Sequence, residues 1–174
     1  MAGPVAFHGT VSAGGPNDTE AIYDVINEAA KAYKPVLSSE AYHEPQMPMA
    51  ELVEEMKRVK FLAYTEDSEI LGVMGYEYVG DVALIRHAYV RPRAQRKGIG
   101  ALLLNQLEDT IARSRKVDKI IIGTYSEASW AVSFYQKHGY QISRDPQEIM
   151  KKYYDIPEVQ RLNSLTLEKR LNLQ

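Results

Sequence analysis

Residues 82–113 restrict more than any other stretch what this chain can fold into. Val82-Ala83-Leu84-Ile85-Arg86-His87-Ala88-Tyr89-Val90 is a largely apolar run between the Gly80-Asp81 pair and Pro92, which predicts a mostly buried strand. Leu102, Leu103, Gln106, Leu107 and Ile111 then fall at helical spacing. Between the two lies Gln95-Arg96-Lys97-Gly98-Ile99-Gly100. A strand therefore feeds a short basic loop containing glycines, and that loop opens a helix. The first turn of a helix carries unpaired N–H groups and the positive end of the dipole. Glycines there let a ligand come close to the backbone, and phosphates are the usual occupants.

The charge around the loop agrees. Arg86, Arg91, Arg93, Arg96 and Lys97 follow one another with no acid among them, in a chain of net charge −2. A focused positive site on a mildly acidic chain points to a small polyanion rather than to nucleic acid. Two common phosphate motifs are excluded by named residues. No G-x-x-x-x-G-K-[ST] run exists, and the third glycine of a dinucleotide fingerprint is replaced by Leu103. The acid that should end the next strand and bind ribose is also misplaced, because Asp118 precedes Lys119-Ile120-Ile121-Ile122.

Other function classes fall away on composition. The chain has no cysteine, so disulfides, a cysteine nucleophile and thiolate metal sites are excluded. Its four histidines are scattered, with no pair at helical spacing, so no metal site is expected. There is no basic region followed by an apolar core near the start, and no apolar run of transmembrane length. A soluble cytoplasmic protein with no membrane partner is the expectation. At 174 residues the chain suits one domain, residues 1–174, large enough for a substantial core.

Read in order, residues 5–11 are a short strand candidate before the Gly14-Gly15-Pro16-Asn17 turn. Asp18 or Thr19 can cap a helix whose apolar face is Ile22, Val25, Ile26, Ala29, Ala30 and Tyr33, running to about Lys34 before Pro35. Residues 35–48 read as an irregular loop with Tyr42-His43-Glu44, a common setting for substrate contacts. A short helix over 49–58 places Leu52, Val53 and Met56 on one side. Strands follow over 61–65 and 70–79; the second is apolar on both faces and carries Gly72 and Gly75, so it should be central and closely approached. Beyond the loop helix come a strand over 120–124 and a helix over 128–138 ended by Gly139. Residues 140–143 then read as a strand, 147–154 as a helix, and 163–171 alternates like an edge strand. The pattern is mixed α/β on a single sheet of about six to seven strands flanked by helices.

Gln95-Arg96-Lys97-Gly98-Ile99-Gly100 resembles the Q/R-x-x-G-x-G/A pyrophosphate loop of the GNAT N-acetyltransferase superfamily, and the order of elements is also that of the GNAT fold. Ala131-Val132-Ser133-Phe134-Tyr135-Gln136-Lys137-His138-Gly139-Tyr140 resembles that superfamily's A-x-x-F-Y-x-K-x-G-F/Y signature. Residues 149–158, with Tyr33-Lys34 and His43-Glu44-Pro45, are similar to a bacterial-type subgroup of unassigned substrate.

The resemblance implies acetyl-CoA as co-substrate, an amine as acceptor and no metal. It implies that Gln95, Arg96, Lys97, Gly98, Ile99, Gly100 and Ala101 hold pyrophosphate, with Arg91 or Arg93 reaching other phosphates. It also implies a central strand pair splayed at the cofactor site, so that backbone groups of Ala88, Tyr89 and Val90 meet the acetyl carbonyl and pantetheine. Tyr135 would protonate the departing thiolate, a role a neutral phenol suits. The asparagine common three residues before the alanine is here Ala128, so its pantetheine contact would pass to Ser133, Ser126 or Ser129. Trp130 would pack over or shield the site. For the base, His87 stands on the strand expected over 82–90 and imidazole titrates in the right range; Glu77 on the neighbouring strand is the second candidate. The alternative is a non-catalytic acyl-CoA-binding sensor on the same fold. The edge expected over 163–171 is where two copies could pair as a homodimer.

Overall fold

The computed structural model describes residues 6–172. The elements are β1 (Thr10–Gly14), α1 (Thr19–Ala30), α2 (Met49–Glu55), β2 (Lys60–Glu66), β3 (Glu69–Val79), β4 (Val82–Val90), α3 (Ile99–Ser114), β5 (Lys119–Tyr125), α4 (Ser129–Lys137), β6 (Gln141–Ile142), α5 (Pro146–Tyr153), α6 (Glu158–Leu162) and β7 (Ser164–Arg170). The strands form one seven-stranded sheet in the order β1-β2-β3-β4-β5-β7-β6. β4 and β5 pair in parallel, whereas β1 with β2, β2 with β3, β5 with β7 and β6 with β7 are antiparallel. This is the mixed α/β fold, sheet and flanking helices, that the order of elements predicts. No helix among the described residues is long and apolar enough to cross a membrane.

The chain divides into two compact units. One takes the residues up to Lys31, Glu44–Tyr76 and His87–Thr110. Its core joins Ile22, Val25 and Ile26 of α1, Leu52 of α2, Phe61 and Ala63 of β2, and Ile70 and Val73 of β3. The apolar period of α1 supplies its side of that core directly, since every residue of the predicted face up to Ala30 is buried. The other unit takes Ala32–His43, Glu77–Arg86 and the chain from Ile111 onward. Here Val82 and Leu84 of β4 and Ile121 of β5 are buried against Ile149, Tyr153 and Tyr154.

Several expectations need correction. The strand read over 5–11 begins only at Thr10, and Val5 lies outside the described residues. The first helix stops at Ala30 and tightens into a 3-10 turn over Lys31–Tyr33, because Pro35 disfavours helical backbone at the residue before it. Val53 is 47% exposed, so the buried side of α2 is Leu52 with Glu55. Residues 163–171 are not an edge. β7 lies between β5 and β6, with Leu167 opposite Ile122 on one side and Ile142 on the other. Alternation records that one face is buried, and an interior strand shows it as readily as an edge strand does. The basis for pairing two copies through that strand falls with it. The helix α6 was not anticipated; five residues with none buried leave no apolar period to read.

Candidate active site

The first group of candidate residues lies in the first unit, where β4 ends and α3 begins. His87 has φ +56° in the middle of β4, a left-handed conformation uncommon for a residue with a side chain. The strand resumes through Ala88, Tyr89 and Val90, all half-buried. Its end is clamped by Arg91. The Arg91 N–H donates to the Leu71 carbonyl at 2.8 Å, Nε donates to the Ile70 carbonyl at 2.8 Å, and Nη1 meets Glu28 Oε2 at 2.6 Å. Arg93 pairs with Glu69, and that hydrogen bond holds the Glu69 carboxyl below the usual carboxylate range. Arg91 and Arg93, expected to reach phosphates, are therefore engaged by acids of their own unit.

The loop that follows is built differently. Gln95 Nε2 donates to the Val90 carbonyl at 2.9 Å, folding the loop back on the strand. Arg96 at φ +63° and Gly98 at φ +86° both turn the backbone through the left-handed region. At Gly98 a Cβ would also lie 3.1 Å from Phe7 Cζ. The Leu102 N–H closes the first backbone bond of α3 on the Gly98 carbonyl at 3.0 Å, so the amides before it have no helical acceptor. No acid stands in the first turn to offset the dipole. Arg96 and Lys97 are exposed, and among the described residues neither has an ion-pair partner. Ile99 is buried, and a Cβ on Gly72 would meet its Cγ2 at 3.0 Å. Close approach at Gly72 is thus what seats the helix start on β3, as the glycine in that strand suggested; Gly100 and Ala101 complete the first turn.

His87 has a partner that the sequence reading missed. Its Nε2 contacts Glu55 Oε2, and its ring stacks on Phe61 with centroids 6.1 Å apart and planes 22° apart. The side chains of His87 and Glu55 are 14% and 8% exposed. The other Glu55 oxygen lies 3.5 Å from Arg58 Nη2. A signal for Glu55 existed: it falls three residues after Leu52, which puts a carboxylate on the buried face of an amphipathic helix.

Glu77, Ser133 and Tyr135 belong to the second unit. Glu77 Oε1 is 3.0 Å from Arg86 Nη1, both side chains 9% exposed, and the guanidinium lies 5.7 Å from the centre of the Tyr154 ring. Tyr135 is buried on α4. The helix ends beneath it: the Tyr140 N–H donates to the Tyr135 carbonyl at 3.0 Å, the Gly139 N–H to the Gln136 carbonyl at 3.1 Å, and Gly139 has φ +90°. These bonds, with the Tyr135 and Tyr140 rings 5.5 Å apart edge to face, make a Schellman cap. Burial pushes the Tyr135 phenol well above the ordinary tyrosine range, with Tyr33 and Tyr154 adding to the rise. Among the described residues its hydroxyl has no hydrogen-bond partner. Ser133 is exposed, about 200° round the helix from Tyr135. Ala128 is fully buried at the N-cap of α4 and provides no side-chain cap. Trp130 is 47% exposed and packs on Tyr33 at 5.6 Å.

A kinked central strand, a glycine-turned basic loop and a helix with open amides define a class that sequence and structural likeness now identify. The family of the acetyltransferase (GNAT) domain matches residues 24–151, and the chain belongs to that family, whose members are acetyltransferases. The chain is similar in fold to an N-acetyltransferase, paia, from Thermoplasma acidophilum, whose structure is in complex with coenzyme A (19% identity, TM-score 0.69, 94% of this chain and 99% of that one). It is likewise similar to Ard1 from Thermoplasma volcanium (19%, TM-score 0.70, 95% and 99%). A GNAT-family acetyltransferase from Staphylococcus aureus aligns at 14% identity with TM-score 0.73 over 94% of this chain and 99% of that one. No curated protein matches the sequence.

Proposed function

We propose that the chain transfers an acetyl group from acetyl-CoA to a primary amine of a small molecule or peptide, by direct attack of the amine on the thioester. The observation that carries this reading is the loop: open amides at the start of α3, backbone turned by Arg96 and Gly98, and two exposed cations with no ion-pair partner among the described residues. That set suits a pyrophosphate, which takes hydrogen bonds from amides and charge from Arg and Lys.

The roles follow from the groups' chemistry. Backbone groups of Ala88, Tyr89 and Val90 would orient the thioester, and donors aimed at its carbonyl oxygen would stabilise the negative charge that develops there. His87 would take the amine proton. We favour it over Glu77, whose carboxylate is committed to Arg86 in a buried pair. As the new C–N bond forms and the C–S bond breaks, Tyr135 would give its proton to the departing sulfur. Support for that role lies in a buried hydroxyl that lacks a hydrogen-bond partner among the described residues and so has its O–H to donate. Ser133, exposed on α4, is the weaker candidate for a pantetheine contact.

The test is calorimetric titration with acetyl-CoA of the native protein and of Gly98→Glu/Gly100→Glu. Binding by the native protein and its loss in the variant are expected, since the new carboxylates repel phosphate and strain the turn. Failure of the native protein to bind overturns the reading. Binding without thiol release across a broad amine panel favours the sensor alternative.

A further inference from the structure

We propose that Glu55 is a positioning residue that fixes which nitrogen of His87 accepts the proton, a step that rests on the acetyltransferase reading above. Three observations converge on one imidazole. Its Nε2 contacts the buried Glu55 carboxylate, its ring plane is set by stacking on Phe61, and its backbone is held at φ +56° one residue before Ala88-Tyr89-Val90. A non-glycine residue kept in the left-handed region is tolerated only where its surroundings overdetermine it.

The chemistry of the pair dictates the tautomer. An ionised carboxylate accepts hydrogen bonds and cannot donate one, so Nε2 carries the hydrogen and the lone pair is left on Nδ1. Nδ1 is then the atom that takes the amine proton. The imidazolium so formed is balanced by the carboxylate already in contact with Nε2, as in other carboxylate–histidine pairs that serve as bases. Arg58 on the second oxygen of Glu55 keeps that carboxylate turned so that Oε2 stays with His87. Glu55 touches no reacting atom in this scheme and acts only through His87.

Nitrogen NMR of the imidazole reports the tautomer without any acceptor, and steady-state thiol release is followed with the best primary amine from a panel of amino acids, polyamines and short peptides. We expect the native His87 to carry its hydrogen on Nε2 and to lose that preference in Glu55→Gln. His87→Gln should lower kcat by roughly 10²–10⁴-fold, and Glu55→Gln by about tenfold or more with KM for acetyl-CoA unchanged. Glu55→Asp should recover part of the loss, and the double variant should be no slower than His87→Gln alone. Should Glu55→Gln fail to fold, the native tautomer and the Glu55→Asp kinetics still decide. A hydrogen on Nδ1 in the native protein overturns the proposal, as do losses that multiply in the double variant. Absence of acetyl-CoA binding or turnover in the native protein would instead sink the acetyltransferase reading, while the tautomer would still test the pair.

Discussion

Tyr135, the acid proposed above, is held by the turn beneath it. Gly139 ends α4 in the left-handed region, the two cap bonds tie Tyr140 and Gly139 back to the last turn, and the Tyr140 ring closes on Tyr135. The phenol is thereby fixed in place and kept protonated. Tyr135→Phe removes one oxygen from a buried ring and keeps the packing. It should lower turnover by roughly 10²-fold or more while calorimetry finds acetyl-CoA affinity within about twofold of native. Unchanged turnover would remove Tyr135 from the mechanism. Tyr135 could be put forward from the sequence because its neighbours form a contiguous motif. Glu55 was not: a lone carboxylate in a seven-residue helix has no motif, and its partner His87 stands 32 positions away.

At the scale of elements, the parallel ladder between β4 and β5 is three residue pairs long, from Ala83 opposite Ile120 to Ile85 opposite Ile122. The next amide, Gly123 N–H, donates to the Tyr154 hydroxyl at 3.0 Å, and that hydroxyl lies 3.3 Å from the Ile85 carbonyl. A side chain from just beyond α5 thus sits where the ladder's next bond would form. Gly123 is needed for the approach, because a Cβ there would stand 3.3 Å from Tyr154 Cζ and 3.0 Å from Met150 Cε. Tyr154→Phe strips the bridge and leaves a donor and an acceptor without their partner, a loss of about 1–3 kcal/mol that urea denaturation would measure. A change below about 0.5 kcal/mol would mean that water or a shifted strand replaces the hydroxyl. Apolar runs made β3, β4 and β5 readable in advance, and a polar turn or glycine marked most of their ends. Neighbours in the sheet were not readable: Leu165, Leu167, Lys169 and Leu171 alternate identically whether β7 is an edge or lies between two strands, and only its pairing with the two-residue β6 decides.

For the whole molecule, the buried phenols set a limit on alkaline stability. Desolvation raises Tyr135 and Tyr154 above the ordinary tyrosine range, although Arg86 and the Gly123 N–H pull Tyr154 back in part. A raised folded-state pKa means that the unfolded chain loses these protons first. Their contribution is therefore complete below about pH 10 and declines as pH rises past that value. Urea midpoints should be flat from about pH 8 to 9.5 and then fall, and Tyr135→Phe/Tyr154→Phe should fall less steeply over the same alkaline span. Parallel slopes for the two proteins would show that other groups govern the alkaline limit. A different limit acts at every pH, from two of the left-handed residues, His87 and Arg96. Glycine would relieve about 1 kcal/mol at each, so selection for thermal endurance alone would drive both toward glycine, and under the roles proposed above selection for turnover would hold both in place. Under that proposal durability and chemistry conflict at both positions: His87→Gly and Arg96→Gly should each raise the melting temperature and lower turnover, both scored in the same preparation.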